Sequence, residues 1–307
     1  MTVPRVSIGL PVFNGEDFLD EALTSLRAQS FEDLEIAISD NGSTDRTPDI
    51  CRSHADADER IGYERSPVNR GSSWNYTRVF ERSRGEYFKW AAHDDVLLPT
   101  YLEQCIDVLD ADPGVVLCHT GVVKIDADGH PVVTYPPNPN ASAGTPTRRF
   151  RDVLFREGPC YPVFGVVRRE VLARTGLLGP YNGHDRPLLA ELALHGRYAQ
   201  VPERLFLNRD HPARSGRAYT GARARITWFD TSQAGRVVYR HPRLLAEYLK
   251  AIRRTDVGTR DRAGAFLAVI EWSLRHAPAF ARDIAGGLRE HAARLAGARR
   301  AAPGEPR

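Results

Sequence analysis

Residues 5–40 read RVSIGLPVFNGEDFLDEALTSLRAQSFEDLEIAISD, and this stretch carries the pattern that predicts the fold. It opens with a nearly continuous apolar run, which is typical of a strand buried on both faces. A segment with apolar residues at helical spacing follows, and LEIAISD is a second short apolar run. A strand, a helix and a strand in close succession indicate a parallel β-α-β unit.

The alternation of strands and helices continues beyond this unit. Thr47 and Pro48 supply an N-cap and a first-turn proline for a second helix. The segment IGYERS predicts a third strand, residues 72–83 a third helix and YFKWAA a fourth strand. This order predicts an α/β fold with a mostly parallel, Rossmann-like central sheet flanked by helices.

Composition limits the classes of protein to which the chain can belong. The 307 residues carry a formal net charge of +3, with 42 Lys and Arg against 39 Asp and Glu, a balance that argues against nucleic-acid binding. Four cysteines without a C-x-x-C pair predict free thiols in a reducing compartment. No apolar run reaches the roughly 18 residues of a spanning helix, and no signal peptide is recognisable. We therefore expect a cytoplasmic protein.

Polar or aromatic pairs follow the predicted strands at the points where those strands end. They are Phe13-Asn14, Asp40-Asn41 and Asp94-Asp95, the last within FKWAAHDDVLLP at residues 88–99. Doubly wound parallel sheets bind ligands beyond the carboxyl ends of their strands. The three pairs should therefore line one crevice.

The Asp94-Asp95 pair predicts a division of roles between two carboxylates. Neighbouring side chains of a strand point to opposite faces, so one carboxylate would bind ligand hydroxyls and the other a divalent cation. Carboxylate oxygens favour Mg²⁺ or Mn²⁺, which bind through one or two carboxylates and substrate phosphates. The alternative is that one of these aspartates caps a helix that begins near Pro99.

The segment SDNGSTD at residues 39–45 also has two interpretations. Its carboxylate, amide and glycine turn would suit hydrogen bonds to a nucleoside, or would form a capped turn between a strand and a helix. Phe13 likewise offers its ring either to a planar base or to the core.

Two longer stretches resemble a known family. LPVFNGEDFLDEALTSLRAQSFEDLEIAISDNGSTDRT resembles the opening of family-2 glycosyltransferases of the GT-A fold, and NRGSSWNYTRVFERSRGEYFKWAAHDDVLLP resembles the stretch that leads into their D-x-D-type motif. The resemblance is strong over residues 5–125 and weaker to about residue 215. It implies a GT-A fold and an inverting, metal-dependent, non-processive enzyme.

The family pattern implies roles at matching positions of this chain. Asp95 would bind the metal on the diphosphate, and Asp94 would bind ribose or sugar hydroxyls. Further contacts to the nucleotide sugar would come from Pro11, Phe13, Asn14, Asp40, Asn41 and Arg70. The family commonly has two aspartates where this chain has Asp40-Asn41, so the identity of the base stays open.

The second half of the chain resembles the family in two shorter segments. NGHDRPLLAELALHG resembles the acceptor-side segment and implies that Asp185 is the general base, with Arg186 near acceptor or phosphate. The alternative is that Asp185 only caps the helix. NRDHPARS resembles the R-x-H segment, so Arg209, His211 and Arg214 would hold the leaving diphosphate or complete the metal site. A structural role is the alternative for His211.

The implied reaction moves one sugar from a nucleotide-diphosphate sugar, with a UDP-sugar preferred, to the hydroxyl of a saccharide, lipid-linked or small-molecule acceptor. Mn²⁺ or Mg²⁺ is the implied cofactor. QAGRV lacks the tryptophan of the Q-x-x-R-W segment in processive synthases. The alternatives are a non-catalytic nucleotide-sugar-binding protein and a sugar-phosphate nucleotidyltransferase, although PVFNGED is not the glycine- and arginine-rich phosphate loop of the latter.

Three regions are expected along the chain. They are a nucleotide-sugar-binding half at residues 1–125, an acceptor-binding half at 126–230 and a C-terminal helical extension at 231–307. The stretch after Asp126 predicts a hairpin followed by a mobile loop. The arginine-rich helices at the end suit peripheral contact with the inner face of a membrane, a homodimer interface or a solvated surface.

Overall fold

The computed structural model describes residues 3–137, 141–237 and 239–301. Within these residues the strands are β1 (Val6–Val12), β2 (Leu34–Asp40), β3 (Ile61–Arg65), β4 (Tyr87–Trp90), β5 (Val96–Leu97), β6 (Val115–Ile125), β7 (Pro131–Thr134), β8 (Val166–Arg168) and β9 (Arg197–Arg209). The α-helices are α1 (Leu19–Arg27), α2 (Thr47–Ala57), α3 (Ser72–Arg82), α4 (Tyr101–Ala111), α5 (Pro146–Leu154), α6 (Arg169–Leu172), α7 (Asp185–His195), α8 (Ser215–Ala218), α9 (Ala222–Phe229), α10 (Arg240–Arg254), α11 (Thr259–Arg275) and α12 (Ala277–Ala301).

The described strands form a single sheet in the order β3-β2-β1-β4-β8-β6-β9-β5, and β7 pairs with β6. Strands β1 to β4 are parallel to their neighbours within this group, as the first 90 residues predict. Every residue of β1 is buried, which explains why its sequence is apolar without alternation. In the β1–β2 ladder Val12 pairs with Asp40, so Phe13-Asn14 and Asn41 leave the sheet at the same edge.

The second half of the chain adds a mixed sheet to the parallel one. β8 pairs antiparallel with both β4 and β6, β5 pairs antiparallel with β9, and the long strands β6 and β9 run parallel. The α/β sheet flanked by helices is thus confirmed, with antiparallel pairs in its second half. Strands on both sides of residue 125 join one sheet, and the three-region division stays a prediction.

Several local predictions can be compared with the structure. The hairpin after Asp126 is confirmed, because β6 and β7 pair antiparallel; the predicted loop beyond it includes residues 138–140, which lie outside the described residues. The helix expected near Pro99 begins at Tyr101 with Thr100 as its N-cap residue. The alternative role of Asp94 or Asp95 as its N-cap is therefore wrong, since both lie before β5.

The core has two parts, one on each face of the sheet. Side chains of neighbouring residues alternate between them: Phe88 and Leu117 pack on one side, Tyr87 and Cys118 on the other. The first part also contains residues of the C-terminal helices, including Trp272, so α10 and α11 pack on the same body as α5 and α7. No helix in the described part of the chain is long and apolar enough to cross a membrane.

Lys89 is a buried cation beneath the sheet edge. Its side chain is 1% exposed, Nζ donates to the carbonyl of Phe164, and the ammonium lies 4.6 Å from the ring centre of Tyr101. No carboxylate of the described residues pairs with it. Burial lowers the pKa of Lys89 from its ordinary value of 10.5 to about 7.

We predict that Lys89→Met raises the free energy of unfolding by about 2 to 4 kcal/mol at pH 7. The unfolded lysine keeps its proton up to a pKa near 10.5, whereas the folded lysine loses it near 7. Folding therefore releases a proton between these values, and the wild type becomes more stable as the pH rises through them. The difference in the free energy of unfolding between Lys89→Met and the wild type should therefore become smaller between pH 7 and pH 10.

Urea unfolding of both proteins at pH 6.5 and pH 9.5 measures this difference. Tyr101 also donates to the Phe164 carbonyl, at 3.1 Å, so that acceptor keeps a partner in the variant. A variant that is less stable than the wild type by the same amount at both pH values would show that Lys89 is not a buried, poorly solvated cation.

Candidate functional site

A cavity of about 400 Å³ opens at the carboxyl ends of β1, β2 and β4. We call it the aspartate cavity, because Asp94 and Asp95 line it. It brings together seven residues to which the sequence analysis gave a possible binding role: Pro11, Phe13, Asn14, Asn41, Asp94, Asp95 and His211. The residues that follow β1, β2 and β4 thus meet at one edge of the sheet, and ligand binding there stays a prediction.

Phe13 and Asn14 form the β1 side of the aspartate cavity. Phe13 is half-buried and lines the cavity, so it is not part of either core cluster. Asn14 has a φ of 51°, in the left-handed region, where asparagine is favoured over most residues. Its side-chain oxygen accepts from the N–H of Thr44 at 2.9 Å, which links the turn after β1 to the turn after β2.

The two carboxylates of the pair have separate partners supplied by the end of β9. Asp94 is 9% exposed, and its Oδ2 lies 3.0 Å from Nε2 of His211. Asp95 is 7% exposed and accepts from Nδ2 of Asn208 and from the N–H of Arg209, both at 2.9 Å. The chain turns at this pair, and each carboxylate is fixed by residues more than a hundred positions later in the sequence.

The electrostatics of the two carboxylates differ. Burial opposes ionisation of Asp94, but the hydrogen bond from His211 and the charges of His93, His211 and Arg214 hold the pKa of Asp94 below its usual value. Burial and the neighbouring charge of Asp94 raise the pKa of Asp95 well above its usual value. A buried carboxylate beside another carboxylate is one that a bound cation would stabilise in its charged form.

The residues around Asp95 fit a hard divalent cation that uses few protein ligands. They supply carboxylate oxygens and one imidazole, and the buried Oδ1 of Asn208 has no hydrogen-bond partner among the described residues. His211 hydrogen-bonds to Asp94, so it lies on the Asp94 side of the pair. In the described structure, three possible metal ligands converge only in the exposed turn of Asp126, Asp128 and His130.

Asp40 and Asn41 hold the neighbouring loops together. Asp40 is fully buried; it accepts from the N–H of Ser43 at 2.8 Å and from the hydroxyl of Tyr63 at 3.0 Å. Nδ2 of Asn41 donates to Asn69 and to the carbonyl of Gly71, both at 3.0 Å, and its oxygen accepts from the N–H of Arg70. Asn41 faces the cavity, whereas the carboxylate of Asp40 lies behind it.

Gly42 completes this turn. Its φ is +82°, and a Cβ there would lie 2.9 Å from the carbonyl carbon of Val68. The glycine of SDNGSTD is thus required for close contact between two loops. Both interpretations of the segment are compatible with this geometry, since Asn41 lines the cavity while Asp40 and Gly42 form the turn.

Two further predicted contact residues, like Asp40, do not line the aspartate cavity. Arg209 is 1% exposed; Nε donates to the carbonyl of Asp94, and its other nitrogens bind the carbonyls of Asp126 and Ala127 and the carboxylate of Glu21. It therefore supports the Asp94-Asp95 turn from behind, and a direct contact with the nucleotide is not consistent with this position. Arg70 is exposed outside the cavity, with its guanidinium 4.9 Å from the ring centre of Trp74.

The sequence analysis missed a row of α3 residues along the aspartate cavity. Ser72, Asn75 and Tyr76 line it, and Ser72 Oγ and Asn75 Oδ1 are buried without a partner in the described structure. Nδ2 of Asn75 donates to the carbonyls of Val12 and Ser39, at the ends of β1 and β2. Small polar residues on the apolar face of a helix that follows a strand are the signal that could have found this row.

A second cavity, of about 370 Å³, surrounds Asp185 and is called the Asp185 cavity. Helix α7 begins at Asp185 with His184 as its N-cap residue, so the alternative role of Asp185 as the N-cap is wrong. Asp185 is half-buried, and Cys160 lines the same cavity. Burial and the charge of Asp185 raise the pKa of Cys160 to about 12, which keeps this thiol protonated.

The two cavities are joined by side chains that line both. Tyr76, Phe164, Arg214 and Trp228 belong to the aspartate cavity and to the Asp185 cavity. Arg214 acts electrostatically on both Asp94 and Asp95, and its guanidinium forms no hydrogen bond or ion pair with a described residue. A pair of carboxylates, a cation and a further carboxylate thus occur along one continuous surface.

Solved structures share this fold. S. aureus TarS 1-349 in complex with UDP-GlcNAc has a TM-score of 0.61 at 15% identity, over 89% of this chain and 72% of that one. Mannosyltransferase PcManGT from Pyrobaculum calidifontis, in complex with GDP-Man and Mn²⁺, has a TM-score of 0.53 at 18% identity, over 99% of this chain and 82% of that one. The GT-A fold expected from the sequence is confirmed.

Curated relatives match the first part of the chain. An uncharacterised glycosyltransferase of Rickettsia typhi is 36% identical over 129 residues, which are 41% of this chain and 39% of that protein. The putative glycosyltransferase EpsH of Bacillus subtilis is 32% identical over 119 residues, 39% of this chain and 34% of that protein. The chain therefore spans less than half the length of these relatives.

The most direct comparison is with a family model. Residues 7–176, more than half of the chain, match the model of glycosyl transferase family 2. This region includes the Asp94-Asp95 turn and the α3 residues of the aspartate cavity. The expectation drawn from the sequence is confirmed: this chain belongs to glycosyltransferase family 2.

Proposed function

We propose that this chain is an inverting, non-processive glycosyltransferase that moves one sugar from a UDP-sugar to an acceptor hydroxyl. The observation that carries the proposal is the pair of joined cavities, one with Asp94 and Asp95 and the other with Asp185. Two substrates can occupy adjoining cavities and meet at the four side chains that line both. A protein that only bound a nucleotide sugar would not need a second, carboxylate-bearing cavity.

The donor would occupy the aspartate cavity. Phe13 can stack on the base, while Asn75 Oδ1 and Ser72 Oγ are buried polar atoms that would gain partners from ribose or sugar hydroxyls. The preference for uridine follows the UDP-GlcNAc complex of TarS, and the GDP-mannose complex of PcManGT makes guanosine the competing base.

Asp95 would hold Mn²⁺ or Mg²⁺ with Asp94 and His211 beside it. Bound there, the cation would neutralise the diphosphate and stabilise the charge that develops on it. Arg214 would add a second positive charge to the leaving group from the junction of the cavities. His211 would keep the Asp94 carboxylate oriented toward sugar hydroxyls.

Asp185 would take the proton of the acceptor hydroxyl. The hydroxyl oxygen forms a bond to the anomeric carbon as the bond from that carbon to the diphosphate oxygen breaks, and the departing electron pair stays on the diphosphate. Attack from the side opposite the leaving group inverts the anomeric centre. The half-buried position of Asp185 in the wall of its cavity places the carboxylate where an acceptor hydroxyl can reach it.

Donor binding is the first test. We expect one class among UDP-, GDP- and dTDP-sugars, with UDP-sugars favoured, to bind in the presence of Mn²⁺, as measured by calorimetry. Asp95→Asn should weaken the metal-dependent binding at least about tenfold, because it removes a charged ligand, and should leave metal-free binding unchanged. If none of these nucleotide sugars binds with Mn²⁺ present, the proposal is wrong.

Asp185→Asn tests the general base. Nucleotide-sugar binding should stay within about twofold of wild type, and sugar transfer should fall about 10²- to 10⁴-fold because the proton acceptor is lost. Transfer would be followed by release of the nucleoside diphosphate and by mass spectrometry of the glycosylated acceptor. Unchanged transfer would remove Asp185 from the mechanism, and a nucleotide sugar formed from a sugar phosphate would identify a nucleotidyltransferase.

Arg214→Gln tests stabilisation of the leaving group. We expect kcat to fall about 10²-fold with a much smaller change in the KM of the donor, because the charge on the diphosphate is greatest as the bond breaks. Arg217→Gln is the matched control, since Arg217 is 59% exposed and pairs with Asp210 outside both cavities. Equal effects of the two substitutions would contradict a role for Arg214 at the reacting diphosphate.

A further inference from the structure

A third cavity, of about 800 Å³, has about twice the volume of the aspartate cavity and is unused by the reaction as proposed. We call it the arginine cavity, because Arg148, Arg151, Arg156 and Arg275 line it. Two carboxylates, Asp152 and Glu157, line it as well, so its described walls carry a net positive charge. Aromatic rings of Tyr135 and Tyr161, together with four prolines, supply flat apolar surface beside these charges.

The arginine cavity adjoins the Asp185 cavity. Pro159 and Tyr161 line both, so the two spaces lie on either side of one short segment. The ring of Tyr161 packs edge-on against that of Tyr135, with 5.0 Å between the ring centres. Arg186, on the first turn of α7, donates to the carbonyls of residues 156 and 158 at 2.8 and 3.1 Å and fixes this segment.

Two of the arginines share a single carboxylate. Arg151 lies 2.7 Å from Oε2 of Glu271, and Arg275 lies 2.5 Å from Oε1 of the same residue. Both guanidiniums also pack against the ring of Phe155, at 5.1 and 4.6 Å from its centre. Two cations with one anion between them leave one positive charge for a ligand, held in a fixed orientation by the ring.

The inner wall of the arginine cavity is polar and uncharged. His119 is 5% exposed, and burial lowers its pKa to about 4, so its ring is neutral near pH 7. Nδ1 lies 3.1 Å from the carbonyl of Thr120, which leaves Nε2 as an acceptor, and Gln200 lines the same wall. Neutral acceptors and donors beside tyrosine rings are suited to sugar hydroxyls, whereas the arginines are suited to an anion.

We propose that the acceptor is an extended acidic saccharide, which places a carboxylate or phosphate group against Arg151 and Arg275 while its attacking hydroxyl reaches Asp185. The inference rests on the proposed function for the identity of Asp185 as the base. It names the chemical class of the acceptor, and it assigns the arginine cavity as the place where the negatively charged group of the acceptor binds. A neutral glycan would leave the surplus positive charge without a partner, and a lone anion would leave the tyrosine-lined wall uncovered.

The test is binding by the full chain with UDP and Mn²⁺ present, measured by calorimetry. The carboxylate pair of probes is an oligogalacturonate tetrasaccharide and its methyl ester; the phosphate pair is mannopentaose phosphate and mannopentaose. At least one charged probe should bind about tenfold or more tightly than its neutral counterpart. The pair of probes in which the charged member binds more tightly shows whether the subsite prefers a carboxylate or a phosphate.

The double variant Arg151→Gln and Arg275→Gln should remove that difference and leave the affinity for the neutral probe unchanged. Both arginines are partly exposed, at 38% and 61%, so their loss should not prevent folding. Arg174→Gln is the matched control, because Arg174 is an exposed arginine that pairs with Glu170 away from the cavity. It should behave as wild type.

Failure of this proposal is distinguishable from failure of the proposed function. If both charged probes bind no better than the neutral ones, or if the double variant keeps the preference, the acidic acceptor is overturned while donor binding and the effect of Asp185→Asn stand. If no nucleotide sugar binds but a charged probe still binds in an Arg151- and Arg275-dependent manner, the subsite stands and the transferase proposal falls.

Discussion

The structure depends on the burial of two adjacent carboxylates in the turn between β4 and β5. Asp94 and Asp95 are both less than a tenth exposed, and two like charges in that environment repel each other and lose hydration. Residues 208–211, at the end of β9, compensate them with an amide, a backbone N–H and an imidazole. The second half of the chain must therefore fold onto the first before the aspartate pair has its partners.

The features that the sequence predicts are those that follow from the order of apolar and polar residues over short stretches of chain. The apolar runs of β1 and β2, the helix between them and the rule for parallel sheets locate Phe13-Asn14, Asn41 and Asp94-Asp95 at one edge. Such a pattern does not show which residue, distant in the sequence, a side chain will contact. Arg209 binds Glu21, 188 residues away in the sequence, and it therefore supports the Asp94-Asp95 turn and does not contact the ligand as expected.

The start of a helix is also not predicted to a single residue. Helix α7 begins one residue earlier than it would if Asp185 were its N-cap, and sequence patterns do not resolve a difference of one residue.

The Asp40-Asn41 departure from the family pattern has a structural reason in this chain. Nδ2 of Asn41 donates two hydrogen bonds that hold Asn69 and the carbonyl of Gly71, and its oxygen accepts from Arg70. A carboxylate could not donate and would face two acceptors at 3.0 Å. The loop at residues 69–71 leads into α3, which carries Ser72, Asn75 and Tyr76 into the aspartate cavity. The amide at position 41 therefore positions the α3 wall of the cavity, whatever it contacts in the ligand.

The order of the three adjoining cavities along the surface keeps two positively charged regions apart. Anions tend to gather wherever cations lie unpaired, so a diphosphate and an acidic acceptor would compete for one arginine cluster if the sites were merged. Here Arg214 stands at the junction nearest Asp95, while Arg151 and Arg275 lie beyond Tyr161 and are partly neutralised by Glu271. Because Asp185 lies between these two positive regions, a negatively charged donor and a negatively charged acceptor would be held apart at their charges and brought together at their reacting carbon and oxygen.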